Sequence, residues 1–296
     1  MSPVSRETTA GRVYLDLQRL ARSTKRPTDE LLRTYVLERF LWRVGNSKHR
    51  DKLVLKGGML MAVFAERRPT ADVDLLALEL SNDLEAVSFM VREVLAVEAD
   101  DGVSYAIDQI SVATIHDADV YPGVRVSVPA RIDRARATLR VDVNVGDPVT
   151  PPPTAIQFPA LLGEAFPVVG YPVEMVLAEK IVTMLDRGEL NTRERDFADV
   201  ILLIGQQSID ADVLTSAIDA TINHRGSTRQ PLAEAIGALG ERRQANWQTF
   251  INSAGLGGSL PDSFREAIDR VVEFADPVVS DASAGQRWDH ASRVWV

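Results

Sequence analysis

The sequence predicts an α+β fold, in which N-terminal helices and a mixed sheet precede a C-terminal helical domain. Three observations carry this expectation. Short apolar or alternating runs, the later ones separated by Asp, Gly and Pro, crowd residues 52–145. A proline-rich break, DPVTPPP, occupies residues 147–153. Beyond it, apolar residues return at helical spacing in one stretch after another. The expected boundary lies near residue 165, which makes 1–165 a sheet-bearing core with basic N-terminal helices and 166–296 a helical domain.

In order along the chain, residues 8–22 and 28–45 read as helices. In the second, Leu31, Leu32, Tyr35, Val36, Phe40 and Leu41 recur near helical spacing, with Thr28 and Asp29 placed where a cap belongs. KLVLK (52–56) is a short strand closed by Gly57-Gly58, and Met59–Phe64 opens a helix. RRPT (67–70) breaks the chain, DVDLLAL (72–78) is a strand, and Asn82–Leu95 is amphipathic and helical. Strand patterning follows over 105–115, 124–132 and 137–145. Helices are expected over 173–187, 193–206, 210–222, 231–250 and 262–275, with a final twenty residues of mixed character that fray.

Composition narrows the function classes. With no cysteine among 296 residues, disulfides and thiolate metal sites are excluded. The four histidines, His49, His116, His224 and His290, show no ligand spacing. No run approaches the roughly 20 apolar residues of a membrane span, and the N-terminus lacks a signal-peptide core, so a cytoplasmic protein with no membrane partner is expected. The net charge of −9 hides an asymmetry: Met1–Lys56 holds thirteen basic and six acidic residues. A basic segment can supply local phosphate attraction within an acidic protein.

The chemistry concentrates at Lys56-Gly57-Gly58 and Asp72-Val73-Asp74. Residues i and i+2 of a strand share a face, so both carboxylates project together. Their mutual repulsion is relieved by a divalent cation. A diglycine between strand and helix lets backbone N–H groups approach a phosphate with no Cβ in the way. Either feature alone is commonly structural. A third acidic residue adds weight: in TLRVDVNV (138–145) Leu139, Val141, Val143 and Val145 alternate with Arg140, Asp142 and Asn144, so Asp142 occupies the polar face. Three carboxylates can surround metal ions about 3.5–4 Å apart, the arrangement for in-line phosphoryl transfer. In the helical half, Lys180 interrupts an apolar helix, and Arg193, Asp196 and Asp199 fall at i, i+3 and i+6.

Five segments in this order resemble the AbiEii/MenT family of nucleotidyltransferase toxins, within the DNA polymerase β-like superfamily. They are LVLKGG (53–58), TADVDL (70–75), LRVDVNVGDPVTP (139–151), EMVLAEK (174–180) and NTRERDFAD (191–199). The resemblance implies a polymerase β-like nucleotidyltransferase core with an appended helical domain. It implies Mg²⁺-dependent transfer of a nucleotide from an NTP to RNA, most often the tRNA 3′ end, which blocks translation. A cognate antitoxin, often a winged-helix repressor, is the implied protein partner. By the match, Asp72, Asp74 and Asp142 are metal ligands of a two-metal site, Lys56, Gly57, Gly58 and Lys180 bind the nucleotide, and Asp196 or Asp199 is the acidic residue of the last motif. One position departs from the pattern: the Thr or Ser usual after Gly-Gly is Met59 here, which cannot donate a hydrogen bond. Lys56, Arg67 or backbone amides are the candidates to compensate. The alternatives are transfer to a protein or small-molecule hydroxyl, and a catalytically decayed binding or regulatory module. No helix-turn-helix or zinc motif supports a DNA-binding regulator.

Overall fold

The computed structural model describes residues 4–80, 83–115 and 123–296, so the helix start expected at Asn82, and His116, lie outside the described residues. The chain divides into two compact units interleaved in sequence. The first comprises Met1–Leu60, Pro69–Gly146 and Ala155–Gly170, and the second Met61–Arg68, Asp147–Thr154 and Tyr171–Val296.

The first unit opens with helices α1 (Thr9–Thr24) and α2 (Thr28–Gly45). Thr8 caps α1 by accepting the Gly11 N–H. Thr28 does not cap α2 but is its first helical residue; the N-cap is Pro27, which makes no side-chain cap bond. The apolar positions of α2 do face inward: Leu31, Leu32, Tyr35, Val36, Phe40 and Leu41 are all buried. Each such side chain contributes about 1.5–3 kcal/mol of burial. The buried Arg43 of α2 is offset by Asp101, which it meets at 2.5 Å.

The other elements of this unit are strand β1 (Leu53–Lys56), helix α3 (Gly57–Phe64, whose last residues enter the second unit), β2 (Val73–Ala77), helix α4 (Leu84–Leu95), β3 (Val103–Tyr105), β4 (Ser111–Ile115), β5 (Gly123–Ile132), β6 (Ala135–Val145), β7 (Thr154–Phe158) and β8 (Phe166–Gly170). They form one eight-stranded mixed sheet in the order β3-β5-β6-β2-β1-β8-β7, with β4 also on β5. β2 runs parallel to β6 and β1 parallel to β8, whereas β1–β2 and β5–β6 are antiparallel. Alternation explains the central strands: Val124, Val126 and Val128 of β5 and Leu139, Val141 and Val143 of β6 are buried, and Arg140 between them is exposed.

The run expected as one strand over 105–115 is instead β3, a 3₁₀ turn at Ile107–Gln109 and β4. The two strands still share one neighbour, β5. β7 and β8 were not predicted, because their short proline-punctuated runs show little alternation.

The second unit holds α5 (Val173–Arg187), α6 (Glu194–Ile204), β9 (Ile209–Asp210), α7 (Ala211–Arg225), α8 (Leu232–Ile236), α9 (Leu239–Arg242), α10 (Gln244–Ala254), α11 (Phe264–Val279), β10 (Arg287–Asp289) and β11 (Val294–Trp295). The helix expected over 231–250 is broken into α8, α9 and the start of α10: Gly237 turns at φ 45° after α8, and Arg243 leaves helical geometry between α9 and α10. Nor does the C-terminus fray. β10 pairs with β9 and β11, and Trp288 and Trp295 pack on Phe274 at ring separations of 5.0 and 5.2 Å. The Trp288 indole N–H donates to the Ile204 carbonyl at 2.7 Å, which satisfies its one polar atom. Among the described residues no helix is long and apolar enough to cross a membrane.

Candidate active site

In the first unit, strand register assembles a row of charged residues across four neighbouring strands. Lys56 of β1 lies opposite Asp74 of β2, Asp74 beside Asp142 of β6, and Asp142 opposite Arg125 of β5. Directly paired residues put their side chains on one face at close range. Asp72 precedes β2 and joins the row through Arg125, whose Nη2 lies 3.8 Å from Asp72 Oδ2. The structure therefore brings Lys56, Asp72, Asp74 and Asp142 together.

Arg125 was not anticipated. Its guanidinium forks the Asp142 carboxylate, Nε to Oδ1 at 2.7 Å and Nη2 to Oδ2 at 2.6 Å. The hydrogen bonds and charge of Asp142, helped by Asp72 and Asp74 and outweighing partial burial, push the Arg125 pKa further up. A signal was present in GVRVSVPARI, where Arg125 interrupts an apolar alternation as Asp142 does in β6. Only the β5–β6 register makes the two meet.

The diglycine completes the site. Gly57 adopts φ +66°, and a Cβ there would lie 2.0 Å from Asp74 Oδ2. The Gly58 N–H, in the first turn of α3, points at the same oxygen at 3.4 Å. A carboxylate thus occupies the positive end of a helix dipole. Burial, then the charges of Asp72 and Asp142, nevertheless push the Asp74 pKa up to about 6, against the pull of Lys56 and the Gly58 amide. Met59, the next residue, is 3% exposed and packs into the interior.

The donor set suits a hard divalent cation, since Asp72, Asp74 and Asp142 offer only carboxylate oxygens. The repulsion that raises Asp74 is what such a cation relieves. Among the described residues no three acidic, His or Cys side chains cluster tightly enough to hold an ion as they stand. Arg125 sits among these carboxylates as their counter-charge.

The second unit gathers Lys180, Asp196 and Asp199 in a buried network. Lys180 Nζ donates to Asp196 Oδ1 at 3.0 Å and to Asp199 Oδ2 at 2.6 Å. Arg68 forks Asp199 through Nε at 2.7 Å and Nη2 at 2.9 Å. Arg68 lies in the RRPT break, where nothing in the sequence marks it as a partner of α6. Asp199 is fully buried, which by itself raises its pKa, but Lys180 and Arg68 hold it down at about 2. Burial lowers the Lys180 pKa, and Asp199 and Asp196 more than reverse this, leaving it raised. Two cations and two anions balance one another.

Comparison with known proteins follows the same lines. A family model described as the nucleotidyl transferase AbiEii toxin of type IV toxin–antitoxin systems matches residues 39–270. Among solved structures, the chain resembles the MenT4 nucleotidyltransferase toxin of Mycobacterium tuberculosis H37Rv at TM-score 0.62 and 17% identity, over 90% of this chain and 89% of that one. It also resembles a candidate nucleotidyltransferase from H. pylori at TM-score 0.50 and 13% identity, over 85% and 96% of the two chains. At these identities the likeness is one of fold, and that fold is nucleotidyltransferase-like. No curated protein matches by sequence.

Proposed function

The chain belongs to the AbiEii family of nucleotidyl transferase toxins of type IV toxin–antitoxin systems, and on that premise we propose that it transfers a nucleoside monophosphate from an NTP to an RNA 3′ hydroxyl, most favourably that of tRNA, and so inhibits translation. One observation carries the reading: the in-register row of Lys56, Asp74, Asp142 and Arg125, with Asp72 beside it and the diglycine at its edge. Family membership also implies an NTP substrate and an antitoxin partner, for which a winged-helix repressor is the form we expect.

In this proposal Asp72, Asp74 and Asp142 hold Mg²⁺, which would neutralise the triphosphate and acidify the acceptor hydroxyl. Lys56 and the Gly57-Gly58 backbone receive phosphate oxygens at the start of α3. Asp142, oriented by Arg125, accepts the proton of the attacking hydroxyl. The new bond joins the acceptor oxygen to the α-phosphorus, the bond from α-phosphorus to the bridging oxygen breaks, and pyrophosphate departs with that electron pair. Lys180 has three N–H donors and gives two to its aspartates, so the third is the one we assign to phosphate. Asp196 and Asp199 hold it in position.

The test is incubation with each α-labelled NTP, Mg²⁺ and total RNA, purified tRNA or protein extract, comparing wild type with Asp74→Asn. Label on the 3′ end of RNA with wild type alone is the expected result. Label on protein only overturns the RNA assignment, and equal labelling by both overturns the role given to Asp74.

A further inference from the structure

β6 is eleven residues long and β2 only five, and this mismatch opens a second site. Pairing with β2 begins at Val141, so residues 135–140 have β5 on one side and, among the described residues, no strand on the other. The first turns of α2 and the residue before Asp72 border that gap. The result is a concavity of about 390 Å³, lined by Asp29 and Arg33 of α2, by Ala71, and by Arg136, Thr138 and Arg140 of β6, among others.

Its chemistry is unbalanced. Arg33, Arg136 and Arg140 are exposed, and among the described residues none of them makes an ion pair or side-chain hydrogen bond. Other arginines of the basic N-terminal segment are already engaged: Arg6 and Arg19 by Asp16, Arg26 by Glu30, and Arg43 by Asp101. Among the described residues Asp29 is the one acidic side chain on the concavity, which leaves them a surplus of two positive charges. Three unpaired guanidiniums around one hollow repel each other unless an anion lies between them.

Alternation ties this hollow to the carboxylates. Arg136, Thr138, Arg140 and Asp142 follow at intervals of two along β6, so they share a face. From Arg136 to Arg140 the strand advances about 14 Å, and Asp142 lies about 7 Å further on. A chain of phosphates laid along the arginines would therefore end at the row of carboxylates.

We propose that Arg33, Arg136 and Arg140, with the Thr138 hydroxyl, bind the sugar–phosphate backbone of the RNA acceptor and lead its 3′ end to Asp142. This rests on the proposed transfer to RNA and adds where the acceptor lies. The contacts are to phosphate, so they position the strand and read no base sequence.

The probe is fluorescent bulk tRNA, titrated by anisotropy without NTP or metal across a salt series. The proteins compared are wild type, the triple variant R33Q/R136Q/R140Q, and R33K/R136K/R140K. Calorimetry of each with the four NTPs and Mg²⁺ reports separately on the carboxylate site. The glutamine variant is expected to bind tRNA at least tenfold more weakly, with a log–log salt slope shallower by about 1 per arginine removed. The lysine variant keeps the charge and most of the slope, and NTP binding is unchanged in all three. Equal tRNA affinity and slope in wild type and glutamine variant overturns the inference. So does loss of NTP binding in the glutamine variant with an unaltered melting temperature, which would assign the hollow to the nucleotide's own phosphates. A wild type that binds NTP but no tRNA also overturns it, leaving the nucleotide half of the proposed function intact.

Discussion

Gly57 and Asp74 stand so close that a Cβ at position 57 would lie 2.0 Å from Asp74 Oδ2. The left-handed φ of +66° adds its own cost for any other residue, roughly 1–2 kcal/mol. Gly57→Ala must therefore displace either the diglycine turn or the carboxylate. The expected outcome is a loss of about 2 kcal/mol or more in urea unfolding, together with loss of NTP binding by calorimetry. A variant with wild-type nucleotide affinity would show that the turn and Asp74 do not act together.

Asp74 and Asp199 titrate in opposite senses, and this gives a check on each. With its folded pKa raised from 3.8 to about 6, Asp74 costs stability while ionised, so the metal-free protein gains stability as pH falls from above 6 toward 3.8. Asp74→Asn is expected to raise the melting temperature at pH 8 while abolishing transfer, the trade expected of a functional site. Carboxyl NMR of the metal-free protein should show one aspartate titrating near pH 6, absent from the variant.

For Asp199 the sign reverses. Its folded pKa, held at about 2, lies below the ordinary 3.8, so its contribution is fully present above 3.8 and disappears as pH falls through about 2. Asp199→Ala leaves Lys180 and Arg68 buried beside a missing charge, at a cost of about 3–5 kcal/mol. Denaturant unfolding at pH 7 measures it. Lys180→Met tests the role assigned to the ammonium: a fall in turnover larger than that caused by an equally destabilising core substitution would separate phosphate contact from bracing.

Arg125 is, with Lys56, a resident cation of the carboxylate row, and Mg²⁺ must be accommodated beside it. Arg125→Gln removes a positive charge that lies 2.6 Å from Asp142 and 3.8 Å from Asp72. Divalent binding, followed with Mn²⁺ by electron paramagnetic resonance, is expected to tighten by about an order of magnitude, as the loss of a nearby like charge allows. Turnover should fall, because Asp142 is no longer oriented. Unchanged Mn²⁺ affinity would place the ion away from Asp142.

Much of the fold was legible because helices and alternating strands are local. The spacing of Leu31, Leu32, Tyr35 and Phe40 marked α2, and alternation around Asp142 marked β6. β7 and β8 were not legible, since short strands with proline nearby owe their existence to their sheet neighbours. The C-terminal hairpin escaped notice for a similar reason: Trp288 and Trp295 are ordered by Phe274, which is not adjacent in sequence.

By itself the sequence determined which residues are polar within apolar strands, Asp74 and Asp142 among them, because a two-residue period needs no partner to be read; Asp72 precedes β2, so that period does not fix its side. Tertiary structure alone decided what those residues face. Register between β5 and β6 set Arg125 against Asp142, the unequal lengths of β6 and β2 opened the arginine-lined hollow, and the chain's return at Arg68 closed the charge balance around Asp199. Pairings of this kind depend on how distant segments slide past one another, and a one-residue slip would turn every side chain to the opposite face.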